Sequence, residues 1–216
     1  MAEKMILTRE QVQADIDTLP EDYKTRDVDA LIKRYVKAGA DVSALREYVL
    51  TEQQFHRIYF YVSLDQIENV EDRLAFINKN LLFDDWWHTD GLIGYVADLD
   101  FNTALSNAKN YVKSDDPFIR RWGYVMFIGR LGKGHAEELL PLMKDDDHYY
   151  VQMGEAWLGA ELAVDEPDQV YRWMPENGMK YKINGKAIQK ICDSFRISEE
   201  WKEKFKGLRK ALKARK

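Results

Sequence analysis

The sequence predicts an all-α fold assembled from stacked helical hairpins, and three observations predict it. The five prolines (Pro20, Pro117, Pro141, Pro167, Pro175) leave a stretch of almost a hundred residues without a break. No segment alternates apolar and polar residues between hairpin turns; Asn177-Gly178 and Asn184-Gly185 both fall between helical patterns. What recurs is apolar residues three or four apart, each run preceded by a residue that starts helices. With 216 residues, 45% hydrophobic and 32% charged, the chain has the composition of a globular protein with a sizeable core. We expect one domain over residues 1–216.

Taken in order, Thr8 precedes Glu10 and the first apolar-periodic run. Pro20-Glu21-Asp22 marks a break between two short helices in residues 1–45, a region that carries no recognisable chemistry. Thr51 is read as the cap of a helix carrying Phe55, Ile58, Tyr59 and Val62. The stretch Asp84–Asp90, D-D-W-W-H-T-D, is expected to open a helix whose aliphatic stripe is Leu92, Tyr95, Val96 and Leu99. At about 100° per residue, Asp90 and Trp86 lie on the side away from that stripe. An indole turned from the local core meets either a neighbouring helix or a ligand.

Further on, Asp116-Pro117 puts proline at the first position of a helix containing Phe118, Val125 and Ile128, and Glu166-Pro167 does so before Val170 and Trp173. Between them lies a helix that is apolar nearly all round, with Tyr149, Tyr150, Val151, Met153, Trp157, Leu158 and Leu162. Ser198, followed by Glu199 and Glu200, starts a final helix over 198–216 with Trp201, Phe205, Leu208 and Leu212 on one face, a cap for the array. In all, about twelve or thirteen helices of roughly 10–17 residues are expected.

Trp86/Asp90, Arg121, Trp157 and Lys190 occupy similar places in successive helices, about 31–36 residues apart. That period belongs to helical-hairpin repeats, each pair of helices burying its face only against its neighbours. Such arrays curve, and residues one repeat apart then converge on the concave surface.

The single Cys192 forms no internal disulfide, and the N-terminus lacks the apolar core of a signal peptide; a cytoplasmic location is expected. No run approaches the ~20 apolar residues of a membrane span. Net charge is −5, but Lys202–Lys216 carries eight Lys/Arg and one acid, leaving residues 1–201 at −12. An acidic body of this kind speaks against a nucleic-acid partner unless the cations cluster locally. His56, His88, His135 and His148 do not form a metal-ligand spacing, Asp145-Asp146-Asp147 reads as a solvated loop, and Gly129–Gly134 lacks the spacing of a phosphate loop. No metal or cofactor is expected.

Three pieces, the W-x-x-x-D of Trp86–Asp90, the pair Arg120-Arg121 and Y-Y-V-Q-M-G-E-A-W ending at Trp157, resemble in order and spacing the AlkD-type DNA alkylation repair glycosylases. The segment N-G-K-A-I-Q-K-I-C-D-S-F-R-I-S (Asn184–Ser198) resembles that family's closing segment. The resemblance covers roughly residues 45–210 and implies a curved array of HEAT-like repeats, an α-α superhelix. It implies hydrolysis of the N-glycosidic bond of cationic N3- or N7-alkylated purines in duplex DNA. In that scheme Asp90 matches the catalytic aspartate, Trp86 and Trp157 the tryptophans flanking the lesion, and Arg121 the active-site arginine. The protein is expected to act as a monomer.

These residue types suit that chemistry. An alkylated cationic purine is already a good leaving group, and a fixed carboxylate stabilises the oxocarbenium-like sugar and orients water. Indole faces attract the cation by on the order of 0.5–2 kcal/mol each, and an arginine fork suits a phosphate. Arg120, Lys186, Lys190 and Arg196 are further candidates for backbone contacts, against the alternative of a solvated face.

Each residue also has a structural reading. Asp90 suits the first turn of a helix or an ion pair, Trp157 suits the core, and Arg121, on an apolar face, needs either an internal acid or a phosphate. Two features depart from the family: the acidic body, and the neighbours Trp122-Gly123 and Gly154-Glu155-Ala156, where Glu155 is expected to bring negative charge close to a DNA surface. The rival readings are a non-catalytic DNA-binding relative, with Asp90 buried in an ion pair with Arg121, and a helical-repeat scaffold for another protein.

Overall fold

The computed structural model describes residues 5–52 and 54–214. The first four residues of the N-terminal reading, and the tail cations Arg215 and Lys216, lie outside the described residues. Within them the protein is all-α: there is no strand, only one isolated parallel bridge between Ile6 and Asp41. No helix is long and apolar enough to cross a membrane among the described residues. The chain forms two compact units, residues 1–84 and 85–216.

The first unit holds α1 (Arg9–Asp17), α2 (Thr25–Lys37), a 3₁₀ turn (Ser43–Tyr48), α3 (Phe55–Asp65) and α4 (Val70–Lys79). Thr8 caps α1 in a reciprocal box with Gln11, and the break at Pro20 separates α1 from α2 as the sequence indicates. Thr51 does not cap α3. Its hydroxyl donates to the Tyr48 carbonyl instead, and the helix starts behind Gln54 with no side-chain cap. Burial substitutes for the cap: Phe55, Ile58, Phe60, Val62 and Leu64 are all within 1% of full burial, each such side chain stabilising by about 1.5–3 kcal/mol. Asn80, 2% exposed, locks the end of α4 by accepting from Arg46 Nε at 2.8 Å and Tyr59 Oη at 3.0 Å.

The second unit holds α5 (Trp86–Asp90), a 3₁₀ turn (Ile93–Val96), α6 (Phe101–Tyr111), α7 (Pro117–Val125), α8 (Ala136–Leu139), a 3₁₀ turn (Leu140–Leu142), α9 (Tyr149–Asp165), α10 (Pro167–Trp173), α11 (Tyr181–Asp193) and α12 (Glu199–Ala214). Packing alternates. Helices α5, α7, α9 and α11 lie side by side in a row, while α6 backs α7, α10 backs α9 and α12 backs α11. Each hairpin therefore buries its face against the next, as the period of the sequence requires.

Three local expectations are corrected here. The helix opened by D-D-W-W-H-T-D stops at Asp90, after which Leu92 N–H bonds back to Thr89 O and Tyr95 N–H to Leu92 O. Gly91 and Gly94 weaken helix propagation, and the Thr89 hydroxyl bonds the Trp86 carbonyl at 2.8 Å, so the chain continues in tighter turns. Leu92, Val96 and Leu99 are nevertheless buried. Ile128 lies beyond α7, whose regular bonding ends at Val125. Asn184-Gly185 falls inside α11, where Asn184, 3% exposed, donates to Met174 O and exchanges amide bonds with Asn177.

The unusual Trp122-Gly123 pair has a packing cause. Trp122 is completely buried, and α7 presses so closely on the end of α6 that a Cβ on Gly123 would lie 2.8 Å from Val112 Cγ1. In α12, Phe205 and Leu208 are buried and Trp201 packs on Tyr171, while Lys202, Lys204 and Lys206 pair with Glu199, Glu200 and Glu203 of the same helix. Much of the basic face is thus neutralised locally.

Candidate active site

Four successive helices of one row each contribute to a single cleft of about 300 Å³, lined by Trp86, Asp90, Arg121, Tyr149, Tyr150, Met153, Trp157 and Lys190. Residues one repeat apart in sequence meet there because alternate helices lie side by side.

Asp85 caps α5 by accepting from Trp86 N–H, and the five-residue helix presents Trp86 and Asp90 to the cleft while His88 and Thr89 are buried. Trp86 stands 44% exposed, a large indole left uncovered at the mouth of the cleft. Asp90 sits at the floor, its side chain 18% exposed, against an Arg121 that is 4% exposed. Arg121 Nη2 donates to both carboxylate oxygens, at 2.7 and 3.0 Å, and Nε to Asp90 Oδ1 and Thr89 Oγ1, each at 3.2 Å. The remaining edge, Nη1, donates to the Tyr150 carbonyl at 2.6 Å.

Arg121 is therefore bound to an internal acid and to a backbone carbonyl, with no edge of its guanidinium directed to solvent. A buried guanidinium that lost this acid would be strongly destabilising. The close seat of Arg121 on α9 depends on Gly154, where a Cβ would lie 3.3 Å from Nη1. On Asp90, Oδ1 takes most of the donors, because the Thr89 hydroxyl also lies at 3.2 Å. Oδ2 is left with the 3.0 Å contact alone and is the less committed oxygen.

Burial raises the pKa of Asp90 above its ordinary value, opposed by the charge and hydrogen bonds of Arg121, by Thr89 and by the positive charge of Lys190. The cleft thus holds a partly desolvated carboxylate that Arg121 and Lys190 favour in its ionised form.

The opposite wall is aromatic. Trp157, half-buried on α9, has Lys190 Nζ 6.0 Å from its ring centre, and Tyr149, 52% exposed, carries Lys186 Nζ at 4.5 Å. Lys186 Nζ also lies 3.3 Å from Met153 Sδ. Tyr149 and Tyr150 were legible only as part of an apolar helix; their place in the cleft depends on how α9 is rotated against α7 and α11.

The remaining predicted contacts fall elsewhere. Arg120 forms a two-bond pair with Asp146, at 2.7 and 3.3 Å, and donates to Ser114 O and Asp115 O. Arg196 grips Glu161 through both nitrogens, at 2.8 and 2.5 Å. Neither lines the Asp90 cleft; both hold connecting segments against helices.

Glu155 is corrected as well. It is fully buried, two residues from Trp157 but on the side of α9 away from the cleft, and it accepts from Lys144 N–H at 2.8 Å. Burial above all, with the charge of Asp146 and against the lowering effect of the Lys144 bond, pushes its pKa up to about 8. A buried group of this kind holds its proton at neutral pH and brings no charge near the aromatic wall.

A family model described as "DNA alkylation repair enzyme" matches residues 23–191. Neither a curated protein nor a solved structure matches the chain.

Proposed function

This chain belongs to the DNA alkylation repair enzyme family, and from that premise we propose that it is a glycosylase which hydrolyses the N-glycosidic bond of cationic N3- or N7-alkylated purines in duplex DNA. The observation that carries the reading is Asp90: a partly buried carboxylate at the floor of a cleft walled by Trp86 and Trp157, with one oxygen lightly engaged.

In the reaction, the bond between C1′ and the base nitrogen breaks and its electron pair goes to the base, which leaves neutral. No general acid is needed, because the alkyl group has already supplied the positive charge. The charge that appears on the deoxyribose is stabilised by the Asp90 carboxylate in a poorly hydrated site. Water adds to C1′, its proton passing to Asp90 Oδ2 or to solvent, and the products are the free base and an abasic site. Arg121 acts through Asp90, fixing the rotamer and favouring the ionised form. Trp86 and Trp157 offer indole faces to the cationic base, while Lys186 and Lys190, beside the aromatic wall, supply positive charge for the DNA backbone.

The rival of a non-catalytic DNA binder requires Asp90 to be sealed in its pair with Arg121. The pair is present, yet Asp90 lines the cleft, which favours the catalytic reading. The direct test is release of 3-methyladenine and 7-methylguanine from methylated duplex DNA at low salt, by wild type and by Asp90→Asn. Release by the wild type, lost by at least about 100-fold in the variant, is expected. Equal release by both would remove Asp90 from the chemistry, and no release by a folded wild type would overturn the reading.

A further inference from the structure

A second cleft of about 390 Å³ adjoins the first and shares Trp157 and Lys190 with it. Its far wall is the segment between α11 and α12, which carries Phe195, Arg196 and Ser194. Phe195 is 94% exposed, the most exposed large apolar side chain of the described residues. A loop phenylalanine exposed to this degree is ordinarily free to fold back on the surface, but here both of its flanks are anchored. On one side, Ser194 N–H donates to the Lys190 and Ile191 carbonyls at the end of α11, at 3.1 and 3.3 Å. On the other, Arg196 is clamped on Glu161, one turn beyond Trp157 on α9, and Ile197 is 5% exposed in the core. The Glu161 side chain is itself only 12% exposed, so the clamp ties the loop directly to the helix that carries Trp157.

We propose that Phe195 is a stacking contact for an unpaired nucleobase of the DNA, one displaced from the duplex next to the nucleotide held at Asp90. This inference rests on the glycosylase reading of the adjoining cleft. A strand whose sugar sits at Asp90 and whose phosphate meets Lys190 continues past Trp157 into the second cleft. An aromatic ring carried outward there on an anchored backbone presents a flat face without the cost of ordering the loop, and any base has a face to stack on it. Arg196, first read as a contact to the DNA backbone, instead fixes the loop beside the ring through Glu161. Its charge is neutralised by Glu161, so the second cleft binds through stacking and the first through charge.

The test is binding of the full chain to two fluorescein-labelled duplexes, one fully paired and one with a single unpaired nucleotide, by anisotropy, alongside the excision assay. Wild type is expected to prefer the second duplex by about tenfold. Phe195→Ala and Phe195→Leu should reduce the preference to about twofold or less, Phe195→Tyr should retain it, and Arg196→Ala should weaken it with Phe195 intact. Retention of the full preference by Phe195→Ala, or by Phe195→Leu, would overturn the stacking role while leaving excision, and so the glycosylase reading, untouched. Loss of all DNA binding and excision in the wild type would overturn both. Because Phe195 is exposed, its variants are expected to fold, which thermal melting checks.

Discussion

Arg121 donates from Nη2 to both oxygens of Asp90 and from Nη1 to the Tyr150 carbonyl, so one buried guanidinium joins α5 and α9 through α7. The pair sets the chemistry of the cleft, because it opposes the burial that would otherwise neutralise the carboxylate.

The acid limb of the excision profile follows from this balance. Burial raises the Asp90 pKa above its ordinary value, so the ionised form, and with it the rate, is expected to fall as pH drops through a point above that of an ordinary aspartate. Arg121 lowers that pKa, so Arg121→Met is expected to move the acid limb to higher pH as well as to lower the plateau. Single-turnover excision rates between pH 4 and 8 check this (a range spanning the usual carboxylate and histidine values). An unmoved limb would place the titration on another group.

The two tryptophans separate by burial. Trp86 is exposed, so Trp86→Ala should leave the melting temperature unchanged while lowering excision by about 2–30-fold, the contribution of one cation–π face. Trp157 is half-buried between Lys190 and the body of α9, and Trp157→Ala should lower both activity and stability, the latter by about 2 kcal/mol. Comparison of release of a cationic purine with that of a neutral one distinguishes charge recognition from plain contact, since a cation–π wall favours only the first.

Glu155 predicts a pH-dependent stability. Its folded pKa lies near 8 against an ordinary value of 4.5. The stabilisation it provides as a neutral group is therefore complete below about pH 4.5 and is lost as pH rises through about 8. Glu155→Gln, which keeps an acceptor for Lys144 N–H, should abolish this loss. Its melting temperature should exceed that of the wild type by roughly 5–10 °C at pH 9 and by little at pH 5. Thermal melts of both proteins at the two pH values decide it.

Much of the helical pattern in both units was legible in the sequence. Asp116-Pro117 and Thr8 start their helices as read, because a cap is a local competition among neighbouring backbone groups. The spacing of Asp90, Arg121, Trp157 and Lys190 pointed to one surface, because a hairpin repeat carries equivalent positions into register. Thr51 misled, since a good capping residue near a helix start is outweighed when the following turn is drawn into the core. Glu155 misled differently. Its proximity to Trp157 in sequence says nothing of side, and two residues along a helix is about 200° of rotation.

The sequence by itself determined the all-α class, the stacking of hairpins and the convergence of Asp90, Arg121, Trp157 and Lys190, all of which depend on local periodicity and caps. Only the tertiary structure decided how those residues are used. Arg121 had either an acid or a phosphate as its partner, and the packing of α5 on α7 made it Asp90. Arg120 and Arg196 were free cations in the sequence and became clamps once Asp146 and Glu161 came within reach. Partner choice between charges depends on a few ångströms and on how much water is excluded, and neither is written in the spacing of a single chain segment.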